Sequence, residues 1–212
     1  MKGRILKTLI LLSTAYAMIR MAHWAAGFTY FTQLSNLFAA AVVLWQLIRP
    51  GEKATLWKYA AAVSILVTFL VFLCVLAPRV PGGLMAAYAQ DHWASLCLHL
   101  ITPALTAADF LLHDAPPVRW RKKHIFLSLL PPLVYYAFVL LLSWAGFRWG
   151  GMAGPYFFLD YAGPAGWLGF APEEGRVGVA YAVLAMIGVF LLLGWGMWAA
   201  ARRAGAGRSR KA

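Results

Sequence analysis

Charged residues are scarce in this chain, and their scarcity is the first constraint on its class. Only 12% of the 212 residues are charged, whereas 62% are hydrophobic; soluble domains have about 25% charged residues. The composition therefore predicts a membrane protein. Acidic residues number only seven and the net charge is +12. In so apolar a chain this excess favours basic loops beside anionic lipid, and we expect no nucleic-acid partner.

Cysteine is nearly absent, as are the common cofactor motifs. Cys74 and Cys97 both lie inside apolar runs, where a cysteine behaves as a small core residue rather than as part of a disulfide or metal pair. The chain has no internal repeat, no glycine-rich phosphate loop, no CxxC pair and no HExxH zinc motif. We therefore expect neither a metal nor a cofactor.

The spacing of two histidines raises the alternative of a haem site. His99 and His113 are fourteen residues apart, an interval that could stack two haems along one membrane helix. Each haem would need a second histidine across the bundle at the same depth. The remaining candidates, His23 and His124, lie at the ends of apolar runs, so this alternative is disfavoured.

Long apolar runs predict an all-α integral membrane protein with six transmembrane helices. A crossing of the ~30 Å hydrocarbon core needs about 20 apolar residues. The runs that satisfy this requirement cover roughly 5–24, 28–48, 57–77, 92–112, 124–145 and 177–200. We predict one six-helix domain over residues 1–200 and a basic cytoplasmic tail over 201–212. The first run resembles a signal peptide, but its apolar pattern continues past Arg20, so we interpret it as an uncleaved helix.

The basic residues predict the orientation. Those at one set of helix ends are Arg20, Arg79, Arg148 and Arg176. The other set of ends carries the remaining 15 of the 19 lysines and arginines. Cytoplasmic loops carry the excess of Lys and Arg. Both termini are therefore predicted to be cytoplasmic, which suits an even number of spans.

The stretch from Asp91 to Asp114 combines a membrane-like composition with regularly spaced polar residues. These recur at intervals of three and four residues, at His92, Ser95, His99, Thr102, Thr106, Asp109 and His113. That spacing puts them on one side of a helix, which must face other helices or a water-filled cavity rather than lipid. Pro103 follows His99 by four residues, so the His99 carbonyl loses its usual helical partner.

A second polar cluster opens the second predicted helix. Thr29, Thr32 and Asn36 share one face of this helix, and Gln33 and Ser35 flank it. Taking helix starts near Phe28 and Asp91, Thr32 and Asn36 lie ~6 and ~12 Å into the second helix and His99 ~12 Å into the fourth, at 1.5 Å per residue, so the two clusters reach a comparable depth. A pocket shared by the two helices is therefore expected.

The pair Thr32 and His99 could perform nucleophilic catalysis. A threonine hydroxyl becomes a nucleophile when a base takes its proton, and a neutral imidazole in a partly dry site suits that task. The alternative is structural: most membrane threonines bond back to their own helix, and a lone membrane histidine is often a packing residue. Asp109 lies ~15 Å deeper than His99 along the helix and cannot easily orient it. It could instead be a buried neutral acid or pair with a polar group on another helix.

Three segments resemble the androgen-induced transmembrane protein family, more closely its bacterial six-helix members. They are Tyr30-Phe31-Thr32 with Ser35-Asn36, then His99 with Pro103 and Asp109, then the PYFFLD segment that ends at Asp160. Animal members are threonine hydrolases that cleave fatty acid esters of hydroxy fatty acids with one Thr and one His. By position in the motifs, the resemblance assigns these roles to Thr32 and His99. Here QLSN follows the threonine and PYFFLD replaces YPFLD, so the substrate does not transfer directly.

We therefore expect an intramembrane hydrolase of a lipid-like ester. Thr32 would be the nucleophile and His99 the base. The residues expected to bind substrate or stabilise the oxyanion are Gln33, Asn36, Ser95, Thr102, Asp109 and Asp160. The alternative is a binder or transporter whose polar clusters hold a lipid or small solute without cleaving it.

Overall fold

The computed structural model describes residues 2–209, with side chains over 3–206, and this part of the chain is mostly helical. Its long helical segments are α1 (Lys2–Arg20), α2 (Phe31–Ile48), α3 (Glu52–Arg79), α4 (Gly83–Asp114), α5 (Lys122–Trp144) and α6 (Val179–Ser209). Five of these, α2 to α6, are long and apolar enough to cross a membrane, whereas α1 is not among them. The fold is thus that of an α-helical protein with membrane-type helices.

Helix α3 occupies the centre of the bundle. It packs against α2, α4, α5 and α6, while α1 packs against α2 and α4. The residues from Lys58 to Ile65 are all buried, on every side of the helix. A helix that is apolar around its whole circumference belongs in the interior, and the three alanines Ala60, Ala61 and Ala62 let neighbouring helices approach closely.

Three π-helical segments interrupt the regular hydrogen bonding, and each precedes a proline. They are Phe72–Leu76, Cys97–Ile101 and Phe110–Asp114, and Pro78, Pro103 and Pro116 follow them by two residues each. A proline has no N–H and its ring clashes with the carbonyl four residues earlier. The wider π turn shifts the hydrogen-bond register just before that point, and π turns often occur at functional sites.

The fourth helix does not begin where the sequence predicted. Helical structure starts at Gly83 and then breaks, because Gln90 is extended and Asp91, His92 and Trp93 have positive φ angles of 49°, 56° and 71°. The expected start near Asp91 thus falls on the break, and regular helix resumes at Ala94. His92 does not share the helical face that begins at Ser95. Tyr16 of α1 donates a hydrogen bond of 2.5 Å to the His92 carbonyl, which satisfies a backbone group freed by the break.

The prolines of α5 mark a change of helix type rather than an end. Lys122–Leu129 is a 3₁₀-helix, and the α-helical part Leu130–Trp144 has its prolines, Pro131 and Pro132, in the first turn. Proline is tolerated there because the first-turn N–H groups have no intrahelical partner. The α-helical hydrogen bonding of α6 continues through Ser209, across the predicted boundary at residue 200. Residues 210–212 of the predicted tail lie outside the described residues.

The segment between α5 and α6 folds back onto the bundle. It contains a short hairpin of β1 (Phe170–Ala171) and β2 (Arg176–Val177) and a 3₁₀ turn at Phe157–Leu159. Trp149 is buried and donates a hydrogen bond of 2.7 Å from Nε1 to Thr29 Oγ1. We call residues 145–178 the cover loop, because this segment packs over the first turn of α2.

Candidate functional site

Thr32 lies in the first turn of α2 and lines a cavity of about 100 Å³. The cavity is bounded by α2, α3, α5, α6 and the cover loop, and most of its lining is aliphatic or aromatic. The polar side chains in that lining are Thr32, Thr68, Tyr135, Tyr136 and Tyr156. The site is therefore an apolar chamber with a few hydroxyl groups, the usual make-up of a small-molecule pocket.

Tyr156 of the cover loop lines the same cavity as Thr32. Burial raises the pKa of Tyr156 to about 12, an effect partly offset by hydrogen bonding to the Thr32 side chain and to the backbone of Phe31 and Thr32. The Tyr156 ring also packs edge-on against Tyr30, with ring centroids 5.4 Å apart. The hydroxyl consequently remains protonated near neutral pH and can donate a hydrogen bond.

His99 is held by its own helix and by an aromatic ring of α3. Its Nδ1 lies 2.9 Å from the Ser95 carbonyl oxygen and 3.2 Å from Ser95 Oγ, and its ring stacks on Phe72 with centroids 3.8 Å apart. Because a carbonyl oxygen only accepts, Nδ1 carries the proton. Nε2 is then the unprotonated nitrogen, the form required of a general base, and among the described residues no hydrogen bond engages it.

Asn36 connects the two predicted polar clusters. Its Nδ2 donates to the Thr32 carbonyl at 2.8 Å and to the Leu98 carbonyl at 3.2 Å. Leu98 precedes His99, so the Thr32 turn of α2 and the His99 turn of α4 are adjacent, as the depth argument predicted. The two side chains share no hydrogen bond among the described residues, and His99 is not part of the cavity lining. On α3, Phe72 covers His99 while Val71 lines the cavity.

The amide side chains expected to stabilise an oxyanion are directed elsewhere. Gln33 Nε2 lies 3.7 Å from the sulfur of Met21, and Asn36 Nδ2 is committed to backbone carbonyls. Their carbonyl oxygens, Gln33 Oε1 and Asn36 Oδ1, are buried without a partner in the described part of the chain. These two atoms are acceptors that a water or a ligand hydroxyl could satisfy.

The other predicted site residues occupy three different places. Ser95 contacts His99 through its hydroxyl, whereas Thr102 bonds to Ser13 of α1 at 2.9 Å. Asp160 accepts a hydrogen bond of 2.9 Å from the Ala153 backbone N–H and lies 3.8 Å from Arg176 Nη1. Asp160 therefore contacts only other residues of the cover loop in these interactions and stabilises the fold of that loop.

Asp109 belongs to a buried group of charges that sequence reasoning did not anticipate. Lys7 Nζ lies 2.8 Å from Asp109 Oδ2 and 2.8 Å from Asp114 Oδ1. Lys58 pairs with Asp109 and lies 2.9 Å from Asp114 Oδ2. His113 Nδ1 is 3.2 Å from Asp109 Oδ1. Two lysines and two carboxylates balance in charge, so this ion cluster ties α1, α3 and α4 together.

The signal for the ion cluster was present in the sequence but ambiguous. The orientation prediction places Lys7 and Lys58 among the basic residues of the cytoplasmic helix ends. Each of them lies a full turn or more inside its helix. Both lysine side chains point into the bundle because α1 and α3 pack against the end of α4, which carries Asp109 and Asp114. Of the two interpretations left open for Asp109, pairing with polar groups on other helices is the one observed.

Comparison of the chain with family models, with characterised proteins and with solved structures gives no match. The several long apolar helices are compatible with an integral membrane protein. The family resemblance drawn from the three sequence segments stays a prediction.

Proposed function

We propose that the chain is an integral protein of a bacterial cytoplasmic membrane, with six spans and both termini in the cytoplasm. The basic residues support this orientation, because the arginines that belong to the opposite side, Arg79, Arg148 and Arg176, lie at the end of the bundle that carries the cover loop. Helix α1 would be the sixth span. Its ion pairs with α4 make it part of the same bundle.

Within this bundle the protein would hydrolyse a lipid-like ester, with Thr32 as nucleophile and His99 as base. The main support for this proposal is that Thr32 lines an apolar cavity. The adjacent turn of α4 carries the imidazole of His99, whose Nε2 is the unprotonated, basic nitrogen. An apolar chamber suits an acyl chain, and a hydroxyl at its wall suits attack on the ester carbonyl.

The cavity also has a route for a substrate dissolved in the bilayer. Its lining includes Leu133 of α5, which is half-exposed, and Val183 and Met186 of α6, which are partly exposed. The cavity therefore reaches the outer surface of the bundle between α5 and α6. In a membrane this surface faces acyl chains, so a lipid could enter sideways.

The reaction would proceed through an acyl-enzyme. Nε2 of His99, directly or through one water, takes the Thr32 hydroxyl proton as Oγ1 attacks the ester carbonyl carbon. The resulting tetrahedral intermediate breaks its bond to the alkoxy oxygen, and the imidazolium returns the proton to that leaving group. Water then attacks the acyl-threonine by the same route and releases the fatty acid.

The test is hydrolysis of long-chain acyl esters by the purified protein and its variants. We expect Thr32→Ala and His99→Ala each to lower kcat by about a thousandfold or more, and Thr32→Ser to retain part of the activity. Thr8→Ala is the control, because Thr8 is exposed and bonds only to the Arg4 carbonyl of its own helix. If Thr32→Ala and His99→Ala both match the parent, the catalytic assignment is wrong.

A second candidate is a protein that binds a lipid or small solute without cleaving it. The position of His99 outside the cavity lining favours this alternative. A fluorophosphonate probe separates the two: it labels Thr32 in a hydrolase and leaves a binder unlabelled. Retained binding of an acyl ester with neither labelling nor turnover would establish the binder.

A further inference from the structure

The Thr32 cavity needs a hydrogen-bond donor for the substrate carbonyl, and few side chains can supply one. A tetrahedral oxyanion is stabilised by donors aimed at the position where its charge develops. The amide donors of Gln33 and Asn36 already bond to Met21 and to backbone carbonyls. Neither residue lies in the lining of the cavity.

The tyrosines of the cavity differ in how their hydroxyls are used. Tyr135 donates to the Thr29 carbonyl at 3.2 Å, so its proton is committed to the backbone. Tyr156 instead shares the cavity lining with Thr32, where the carbonyl of a bound substrate would lie. A ligand in the cavity can therefore accept a hydrogen bond from the Tyr156 hydroxyl.

The cover loop holds the Tyr156 ring firmly at this position. The ring stacks on Phe158 with centroids 5.1 Å apart and an interplanar angle of 4°, and it packs edge-on against Tyr30. The loop itself is anchored by the hydrogen bond from Trp149 to Thr29, in the 3₁₀ turn Ala25–Thr29 that precedes α2. A donor fixed in advance pays no reorganisation cost when the oxyanion forms.

We infer that Tyr156 is a further catalytic residue, whose hydroxyl binds the carbonyl oxygen of a fatty acyl ester and stabilises the oxyanion formed on attack by Thr32. This inference rests on the proposed hydrolase function. In the step concerned, the bond from Thr32 Oγ1 to the carbonyl carbon forms and the electrons of the C=O π bond move to oxygen. Tyr156 donates a hydrogen bond to that oxygen and keeps its proton, and the π bond reforms when the alkoxy group leaves.

The experiment compares Tyr156→Phe with Tyr161→Phe. Phenylalanine keeps the stacking and removes only the hydroxyl. Tyr161 is the matched control, because it lies in the same loop and its hydroxyl bonds to Ser143 at 2.9 Å, away from the cavity. We expect Tyr156→Phe to lower kcat by about a hundredfold to a thousandfold with little change in KM, and Tyr161→Phe to match the parent.

A binding measurement tests the same contact without turnover. The parent should bind a long-chain acyl ester about tenfold more tightly than the ether analogue that lacks the carbonyl. Tyr156→Phe should lose this preference, and Tyr161→Phe should keep it. If Tyr156→Phe loses the ester preference while the parent binds esters but never hydrolyses them, the Tyr156 contact is supported and the hydrolase is overturned. Thr32-dependent hydrolysis with unchanged kcat and unchanged ester preference in Tyr156→Phe would overturn the Tyr156 inference alone.

Discussion

At the scale of single residues, the buried charges are the most costly feature of the chain. Lys58 and Asp109 have no exposed surface, and moving an unpaired charge out of water costs several kcal/mol. Each is tolerated because the partners supply compensating charge: Lys7 and Lys58 face Asp109 and Asp114. The stability of the bundle therefore depends on keeping this set balanced.

Removing one carboxylate should unbalance the ion cluster. We expect Asp109→Asn to lower the free energy of unfolding by about 3–5 kcal/mol, because it leaves two buried lysines facing one aspartate. Thermal unfolding of the purified protein in detergent measures the change. Glu173→Gln is the control, since Glu173 is exposed in the cover loop.

Removing both partners of one pair should cost less. Lys58→Met with Asp109→Leu takes away one positive and one negative charge and leaves Lys7 paired with Asp114. Replacing a buried pair by apolar side chains is often close to neutral. A double variant as unstable as Asp109→Asn would show that the cluster does more than balance charge.

At the scale of the elements, α6 approaches α3 and α5 closely at a glycine. A Cβ added to Gly194 would lie 2.6 Å from Ser128 Oγ and 3.0 Å from the Tyr59 hydroxyl, and Tyr59 donates a hydrogen bond of 2.8 Å to the Gly194 carbonyl. Small residues at helix interfaces permit such contacts in membrane bundles. Gly188 and Gly196 of the same helix face open space.

The glycines of α6 should therefore respond differently to alanine. We expect Gly194→Ala to destabilise the protein by about 1–3 kcal/mol, because the new methyl group overlaps a packed neighbour. Gly188→Ala should cause no loss, since alanine favours helix more than glycine does. Comparison of the two unfolding midpoints in one detergent is the measurement, and equal midpoints would contradict the close approach.

Some irregularities of the helices coincide with prolines in the sequence, and one does not. In α5 the change from 3₁₀ to α structure at Leu130 coincides with Pro131 and Pro132, which a first helical turn tolerates. The π turns before Pro78, Pro103 and Pro116 follow from the same missing N–H. No glycine or proline marks the break at Asp91–Trp93, where Tyr16 of α1 donates a hydrogen bond to the His92 carbonyl.

At the scale of the whole molecule, the open question of topology turns on α1. Within residues 2–209, five helices meet the length and hydropathy of a membrane span, and α1 is not one of them. Its side chains nevertheless carry Lys7 into the ion cluster and Ser13 against Thr102. We expect α1 to cross the membrane, because these contacts align it along α4.

Reporter fusions test that expectation. A fluorescent protein that folds only in the cytoplasm should be active at either terminus, and alkaline phosphatase inserted after Gly163 in the cover loop should be active outside. Five spans would instead place the two termini on opposite sides of the membrane. The control is a fusion within the α2–α3 turn at Gly51, which should report the cytoplasm.

The amino-acid sequence by itself determined the helical, membrane-type class of the chain and the polar faces of α2 and α4. Both follow from composition and from the helical period, which are local properties. The sequence also indicated that Asn36 and His99 lie at similar depth, and the hydrogen bond from Asn36 to the Leu98 carbonyl joins the two turns directly.

Tertiary structure alone decided which polar groups share a site. It joined Lys7 and Lys58 to Asp109, turned Phe72 onto His99 and brought Tyr156 from a loop over a hundred residues away to Thr32. Helical periodicity states which side of its own helix a residue occupies. It carries no information about the rotation of one helix against another, which the packing of the whole bundle sets.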